Sequence, residues 1–119
     1  MKPTLVIGAS TNPERYSYKA ILKLRMFKHD VFAYGLRNGN VADVSINKEW
    51  PKNVKVDTVT MYINPSRQEA YYQRIIDLKP SRVIFNPGAE NGEFAAKLIE
   101  NGISYDNACT LVLLSIDSY

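Results

Sequence analysis

The sequence predicts an α/β domain, a doubly wound parallel sheet of about five strands with helices on both faces. Three observations predict it. Short apolar runs alternate with segments of helical period along the whole chain. The first run, Thr4 to Ile7, is short and apolar, as expected of a strand covered on both faces. A loop of small residues beginning at Gly8 joins the first run to the first helical segment.

The elements follow in order. Thr4 to Ile7, bounded by Pro3 and Gly8, reads as the first strand. Tyr18 to Lys28 carries Ala20, Ile21, Leu24 and Phe27 on one helical face. Asp30 breaks that pattern, and Val31 to Tyr34 reads as the second strand. The stretch 35–55 is polar and irregular, with an Asn38-Gly39 turn signal, a short Val44/Ile46 alternation and a Trp50-Pro51 break. No helix is expected there. Asp57 to Ile63 is β-branched and forms the third strand, which Asn64-Pro65 stops.

Ser66 and Glu69 have capping-box spacing, so a helix is expected from there to about Leu78, ending before Pro80. Tyr72, Ile75 and Ile76 share its apolar face. Arg82 to Phe85 is the fourth strand, followed by the Asn86-Pro87-Gly88 loop. Asn91 suits the cap of a helix with Phe94, Ala95, Leu98 and Ile99 facing inward, closed by Asn101-Gly102. Ile103 to Tyr105 is the fifth strand, and a last short helix is expected from near Asn107. With the order 3-2-1-4-5, strand order reverses between the first and fourth strands, where a ligand binds beyond the strand ends. The segments placed there are Gly8–Ser17 and Asn86–Glu90.

The 119 residues read as a single domain, 1–119, long enough to build its own core. One cysteine excludes an internal disulfide, and a single histidine together with that lone cysteine argues against a His/Cys metal site, so no metal is expected. No apolar run approaches the roughly 18 residues of a membrane span, and no signal-peptide pattern precedes the first strand. The expectation is a soluble cytoplasmic protein. Residues 1–60 carry ten Lys/Arg against five Asp/Glu, whereas 61–119 carry five against seven. The basic excess therefore lies in the half that opens with the Gly8 loop. An anionic ligand accounts for it, and so does a solvated basic face.

Gly8-Ala9-Ser10 and the following Thr11-Asn12-Pro13-Glu14-Arg15-Tyr16-Ser17 stand where a dinucleotide fold places its phosphate loop. Gly8 permits the sharp turn, and small neighbours allow close approach to a phosphate. Free N–H groups and the helix dipole favour negative charge. Ser10 and Ser17 offer hydroxyls and Arg15 a positive charge. The strict G-x-G-x-x-G is absent, and so is a Walker loop. A plain strand-to-helix turn is the alternative. After the second strand there is no acidic residue for a ribose, and Arg37 stands instead. That argues against NAD and allows a ribose bearing an extra phosphate, as in NADP or coenzyme A.

The residues Gly8-Ala9-Ser10, Pro13, Arg15-Tyr16-Ser17, Asn86-Pro87-Gly88-Ala89-Glu90 and Cys109 resemble the small single-domain CoA-binding proteins. These are similar to the CoA-binding domain of the succinyl-CoA synthetase α subunit. The resemblance covers nearly the whole chain. It implies a Rossmann-like fold with coenzyme A, or an acyl-CoA, held across the strand ends. It places Gly8, Ala9 and Ser10 at the phosphates, with Arg15 and Ser17 supporting that loop. Arg37 falls near the adenosine end. Ile63, Asn64 and Pro65 fall along the nucleotide groove, and Asn86, Pro87 and Gly88 beside the pantetheine arm. Tyr34-Gly35-Leu36-Arg37 departs from the family's usual V-N-P-like segment.

A ligase of the synthetase type needs a phosphorylatable histidine and a second domain. His29 lies at the end of the first helix, away from the strand carboxyl ends, where it suits the helix dipole. Cys109 reads as a buried small residue between Ala108 and Leu111, with a thiol near the ligand as the alternative. Glu90 is read as capping a helix start rather than as a base. The expectation is binding of CoA or an acyl-CoA without independent catalysis. An NADP-dependent oxidoreductase module is the rival, weakened by the lack of a Tyr-x-x-x-Lys set. Nucleic-acid binding is not expected, because the eight tyrosines are scattered and form no basic-aromatic stripe. A homodimer through outer helix faces is an open expectation.

Overall fold

The computed structural model describes residues 1–119. The chain forms β1 (Thr4–Ile7), α1 (Tyr16–Met26), β2 (Val31–Tyr34), β3 (Gly39–Val41), β4 (Val44–Asn47), β5 (Thr58–Met61), α2 (Tyr72–Leu78), β6 (Arg82–Phe85), α3 (Gly92–Glu100), β7 (Ser104–Asn107) and α4 (Thr110–Ser115). Two 3-10 turns, Pro65–Arg67 and Glu69–Tyr71, precede α2.

The strands make one sheet of seven in the order β3-β4-β2-β1-β5-β6-β7. All neighbours are parallel except β3 and β4, which form an antiparallel hairpin. This corrects both the expected five strands and the order 3-2-1-4-5. The expected third strand, Thr58–Met61 in the structure, does not lie beyond the second. It pairs directly with β1, Leu5 opposite Val59 and Ile7 opposite Met61. The outer position beside β2 is taken by β4, from the stretch that reads as irregular. Its Val44 and Ile46 point into the core and its Ser45 and Asn47 outward. Four residues of alternation are too few to outweigh the turn-forming residues around them, and pairing with β2 supplies the rest. The hairpin turns at Ala42-Asp43, where Ala42 adopts a left-handed φ of +53°. Asn38 instead uses its side-chain oxygen to accept the Lys48 N–H at 3.0 Å.

Alternation along the strands divides the core. Leu5, Ile7, Val59, Met61, Val83 and Phe85 face α2 and α3, where Tyr72, Ile75, Phe94 and Leu98 complete one cluster. Val6, Ala33 and Ile46 face α1 and α4 and pack against Ile21, Leu24 and Leu114. Fully burying side chains of this size stabilises by about 1.5–3 kcal/mol each, before entropy is counted.

Element ends differ from the sequence reading in instructive ways. Helix α1 spans Tyr16–Met26, two residues earlier than expected at each end, so Phe27 is 47 % exposed rather than buried. The Ser66/Glu69 capping box does not form. The Ser66 hydroxyl donates to the Asn64 side-chain oxygen, and α2 begins only at Tyr72. Asn91 does cap α3, accepting the Phe94 N–H at 3.0 Å. Helix α4 begins at Thr110 rather than near Asn107, because β7 continues to Asn107 beside β6.

Candidate functional site

Strand order reverses between β1 and β5, not between β1 and β6 as the expected topology has it. The loops leaving the carboxyl ends of β1 and β5 diverge there. A cleft of about 850 Å³ opens between them. This is within the usual range for a site that takes a nucleotide-sized ligand.

The β1–α1 loop is shaped by two close approaches. Gly8 has φ +91°, and a Cβ there would lie 3.0 Å from Ile63 Cγ2 and 3.1 Å from the Tyr62 carbonyl carbon. Only glycine meets both conditions without strain. The N–H groups of Gly8 and Ala9 both donate to the Tyr34 carbonyl, each at 3.0 Å. These two amides hold the loop against β2 and do not face a ligand. Further along, the Ser10 hydroxyl accepts the Asn12 N–H at 3.0 Å, and the Asn12 side chain accepts the Glu14 N–H at 2.9 Å.

The start of α1 is open. The first helical bond runs from the Lys19 N–H to the Arg15 carbonyl at 3.3 Å, which leaves the amides of Tyr16, Ser17 and Tyr18 without a carbonyl partner. No side chain caps this end, and its first turn holds no acidic residue. Unpaired N–H groups and the helix dipole therefore present positive potential to the cleft.

Ten of the residues named from the sequence line this cleft: Gly8, Ala9, Ser10, Arg15, Ser17, Arg37, Ile63, Asn64, Pro87 and Gly88. Two do not. Pro65 starts the first 3-10 turn, outside the wall. Asn86 is 2 % exposed and points into the protein. Its amide nitrogen donates to Thr60 Oγ1 at 2.7 Å and to the Met61 carbonyl at 2.9 Å, and its oxygen accepts the Thr110 N–H at 2.9 Å. A polar residue beside Pro-Gly reads as a loop residue, and only the fold reveals that α4 lies over it.

Sequence reasoning missed several wall residues, chiefly Arg67, Tyr16, Leu36 and Tyr62. Arg67 was hidden by the expected helix, whose first turn disfavours a cation. The 3-10 turn that forms instead sets it on the cleft. Tyr16 and Leu36, 66 % and 72 % exposed, form apolar parts of the rim. The Tyr62 hydroxyl is buried with no hydrogen-bond partner, and burial pushes its phenol above the ordinary value.

Gln68 was also missed, and it fixes the cleft's shape. It is fully buried, and its amide nitrogen donates to the Ile63 carbonyl at 3.0 Å and to the Ala89 carbonyl at 2.7 Å. Its oxygen accepts from the Asn91 side chain at 3.0 Å. One side chain thereby joins the loop after β5 to the loop after β6. Beside it, Glu90 accepts the Gly88 N–H at 2.9 Å, and Gly88 adopts φ +93°.

The remaining candidates lie elsewhere. His29 falls beyond α1, after left-handed Lys28, and not in its last turn. Its Nδ1 accepts the Lys2 N–H at 2.9 Å. Burial first, then the positive amino terminus, Lys2 and Arg82, hold its imidazole below the ordinary value. Cys109 is half-buried rather than enclosed, occupies the N-cap of α4 and is not on the cleft wall. No group of three or more His, Cys, Asp or Glu is placed to hold a metal ion, and no helix is long and apolar enough to cross a membrane.

A six-stranded parallel core with the order reversing beside a glycine-turned loop, helices on both faces and a cleft at that point defines a Rossmann-like α/β domain. The chain belongs to the CoA binding domain family, whose model matches residues 2–115. Among solved structures, an uncharacterized protein is 45 % identical, with TM-score 0.95 over 100 % of this chain and 98 % of that one. A hypothetical protein from Pyrococcus horikoshii OT3 is 22 % identical, with TM-score 0.84 over 93 % of this chain and 80 % of that one. The Thermus thermophilus protein cell-free ID.343 is 18 % identical, with TM-score 0.83 over 99 % and 91 %. The latter two likenesses are of fold. No curated protein matches the chain.

Proposed function

We propose that this protein binds coenzyme A or an acyl-CoA in the cleft between β1 and β5 and carries out no chemistry on it alone. The observation that carries the reading is the uncapped α1 N-terminus, with its three unpartnered amides beside Arg15. A diphosphate there would satisfy those donors and the dipole together. Arg37, after β2, is the residue for the 3′-phosphate, since a guanidinium gives phosphate two parallel hydrogen bonds. The pantetheine arm would then run past Pro87 and Gly88.

Binding without catalysis is supported by how the reactive groups are engaged. The Glu90 carboxylate accepts from Gly88, and the His29 nitrogen from Lys2. Neither lines the cleft, and its one wall carboxylate, Glu14, has no histidine on the wall to complete an acid–base pair. Calorimetric titration of ligand-free protein with CoA, dephospho-CoA, NAD and NADP tests the reading. CoA should bind tightest, with dephospho-CoA weaker. Preference for NADP, or no binding of CoA, would overturn it.

A further inference from the structure

Three arginines line the cleft, each from a different loop: Arg37 after β2, Arg15 before α1 and Arg67 after β5. One carboxylate, Glu14, shares the wall with them. None of the three forms an ion pair, because both salt bridges in the protein belong to Arg25. The three guanidinium groups less the one carboxylate leave the wall net positive.

The order of these cations follows from the sheet. Strands β2, β1 and β5 are consecutive neighbours. Adjacent strands lie roughly 4.8 Å apart, so the loops bearing Arg37 and Arg67 start roughly 10 Å from each other, with the α1 N-terminus between them. The two cations thus enter the cleft from opposite sides of an anion-binding helix end. They suit a ligand with anionic groups on both sides of the phosphate that α1 holds.

Arg67 is also firmly placed. It ends the Pro65–Arg67 turn, and its N–H donates to the Asn64 carbonyl at 3.0 Å. The next residue is Gln68, fully buried and anchored to the loops after β5 and β6. The backbone under this exposed, unpaired guanidinium is therefore fixed, and binding has only the side chain left to order.

We propose that Arg67 holds the outer phosphate of the ligand's diphosphate, the one joined to the pantetheine arm, while α1 holds the inner phosphate. This rests on the CoA reading above. It makes the site selective for a diphosphate over a monophosphate, independently of the 3′-phosphate that Arg37 reads.

The test is titration of the wild type, Arg67→Gln and Arg37→Gln with CoA, dephospho-CoA and adenosine 3′,5′-bisphosphate, which lacks the outer phosphate. Arg67→Gln should weaken CoA and dephospho-CoA by the same factor, about tenfold or more for a lost charge-assisted bond. It should leave adenosine 3′,5′-bisphosphate within about twofold, since the phosphate it served is missing. Arg37→Gln should show the converse, with its effect gone on dephospho-CoA. The proposal is overturned if Arg67→Gln changes nothing, if its effect vanishes on dephospho-CoA, or if the bisphosphate is weakened equally. Failure of wild-type protein to bind CoA at all overturns the CoA reading itself. Arg67 is exposed, and an unchanged melting temperature separates lost binding from lost folding.

Discussion

A Cβ on Gly35 would stand 2.4 Å from the carbonyl oxygen of Ala9. The loop leaving β2 is thus pressed directly against the loop leaving β1. The contact continues in the bonds from Gly8 and Ala9 to Tyr34 and from the Gly35 N–H to the Asn47 carbonyl at 3.0 Å. Gly35 sets the distance between the loop that bears Arg37 and the loop that leads into α1. Its need for glycine comes from proximity, since its φ is not positive.

Gly35→Ala should therefore destabilise the protein by about 1–3 kcal/mol, as overpacking does when backbone is the obstacle. It should also weaken CoA binding, because the two loops must separate. Gly92→Ala is the matched control. Nothing lies within 4 Å of a Cβ there, and alanine suits the start of α3. It should leave stability unchanged or raise it by up to about 1 kcal/mol. Thermal melts of the two variants check this, and equal melting temperatures would remove the proposed steric role of Gly35.

Gln68→Leu keeps the side chain's approximate size and removes its hydrogen bonds. The Ile63 and Ala89 carbonyls and the Asn91 amide each lose a partner. The expected cost is about 1–3 kcal/mol for each group that no water reaches. Because the bonds tie two cleft walls together, ligand affinity should fall as well. Denaturant unfolding and titration of the same sample would show both effects.

Asn86→Ala should behave differently. The residue serves the interior, holding β6 to β5 and to the start of α4 through Thr60, Met61 and Thr110. Stability should drop by at least about 1–3 kcal/mol. At a temperature where the variant is folded, CoA affinity should stay within a few-fold. A large loss of affinity with little loss of stability would make Asn86 a ligand residue after all.

The His29 imidazole is held below its ordinary value, so the unfolded chain takes up its proton at a higher pH than the folded protein does. The stability that neutral His29 contributes is complete above the unfolded value of about 6.5, and falls as pH drops from there through the lower folded value. Protonation at Nδ1 also removes the acceptor for the Lys2 N–H. His29→Gln should flatten the pH dependence of melting temperature in that window. CoA affinity should be unaffected, because His29 lies outside the cleft wall.

Much of this molecule is legible locally. β1, β2, β6 and the Asn91 cap of α3 appear where runs and capping residues predict them. The Gly8 loop ends β1 and lines the cleft because a short apolar run followed by Gly-Ala-Ser is a local signal. Arg67 was obscured by an equally local signal, the Ser66/Glu69 spacing. That box lost to the Asn64 side chain, which bonds Ser66 first.

The sequence by itself determined the alternation of the main strands and helices, most of the residues that α1 and α3 bury (though not Phe27 or Ile99), and the glycine-turned entrance to α1. These depend on periodicity and turn chemistry within a few residues of each position. The tertiary structure alone decided that β5 rather than β6 flanks β1, and that β4 becomes a strand by pairing with β2. It also decided that Asn86 and Gln68 turn inward and that Arg67 reaches the cleft. The physical reason is that lateral strand order, and the partner that satisfies a buried amide, are set by contacts between residues far apart in the chain. Gln68 meets Ala89 21 positions away, and Asn86 meets Thr60 26 positions away. No local pattern encodes which distant backbone will arrive there.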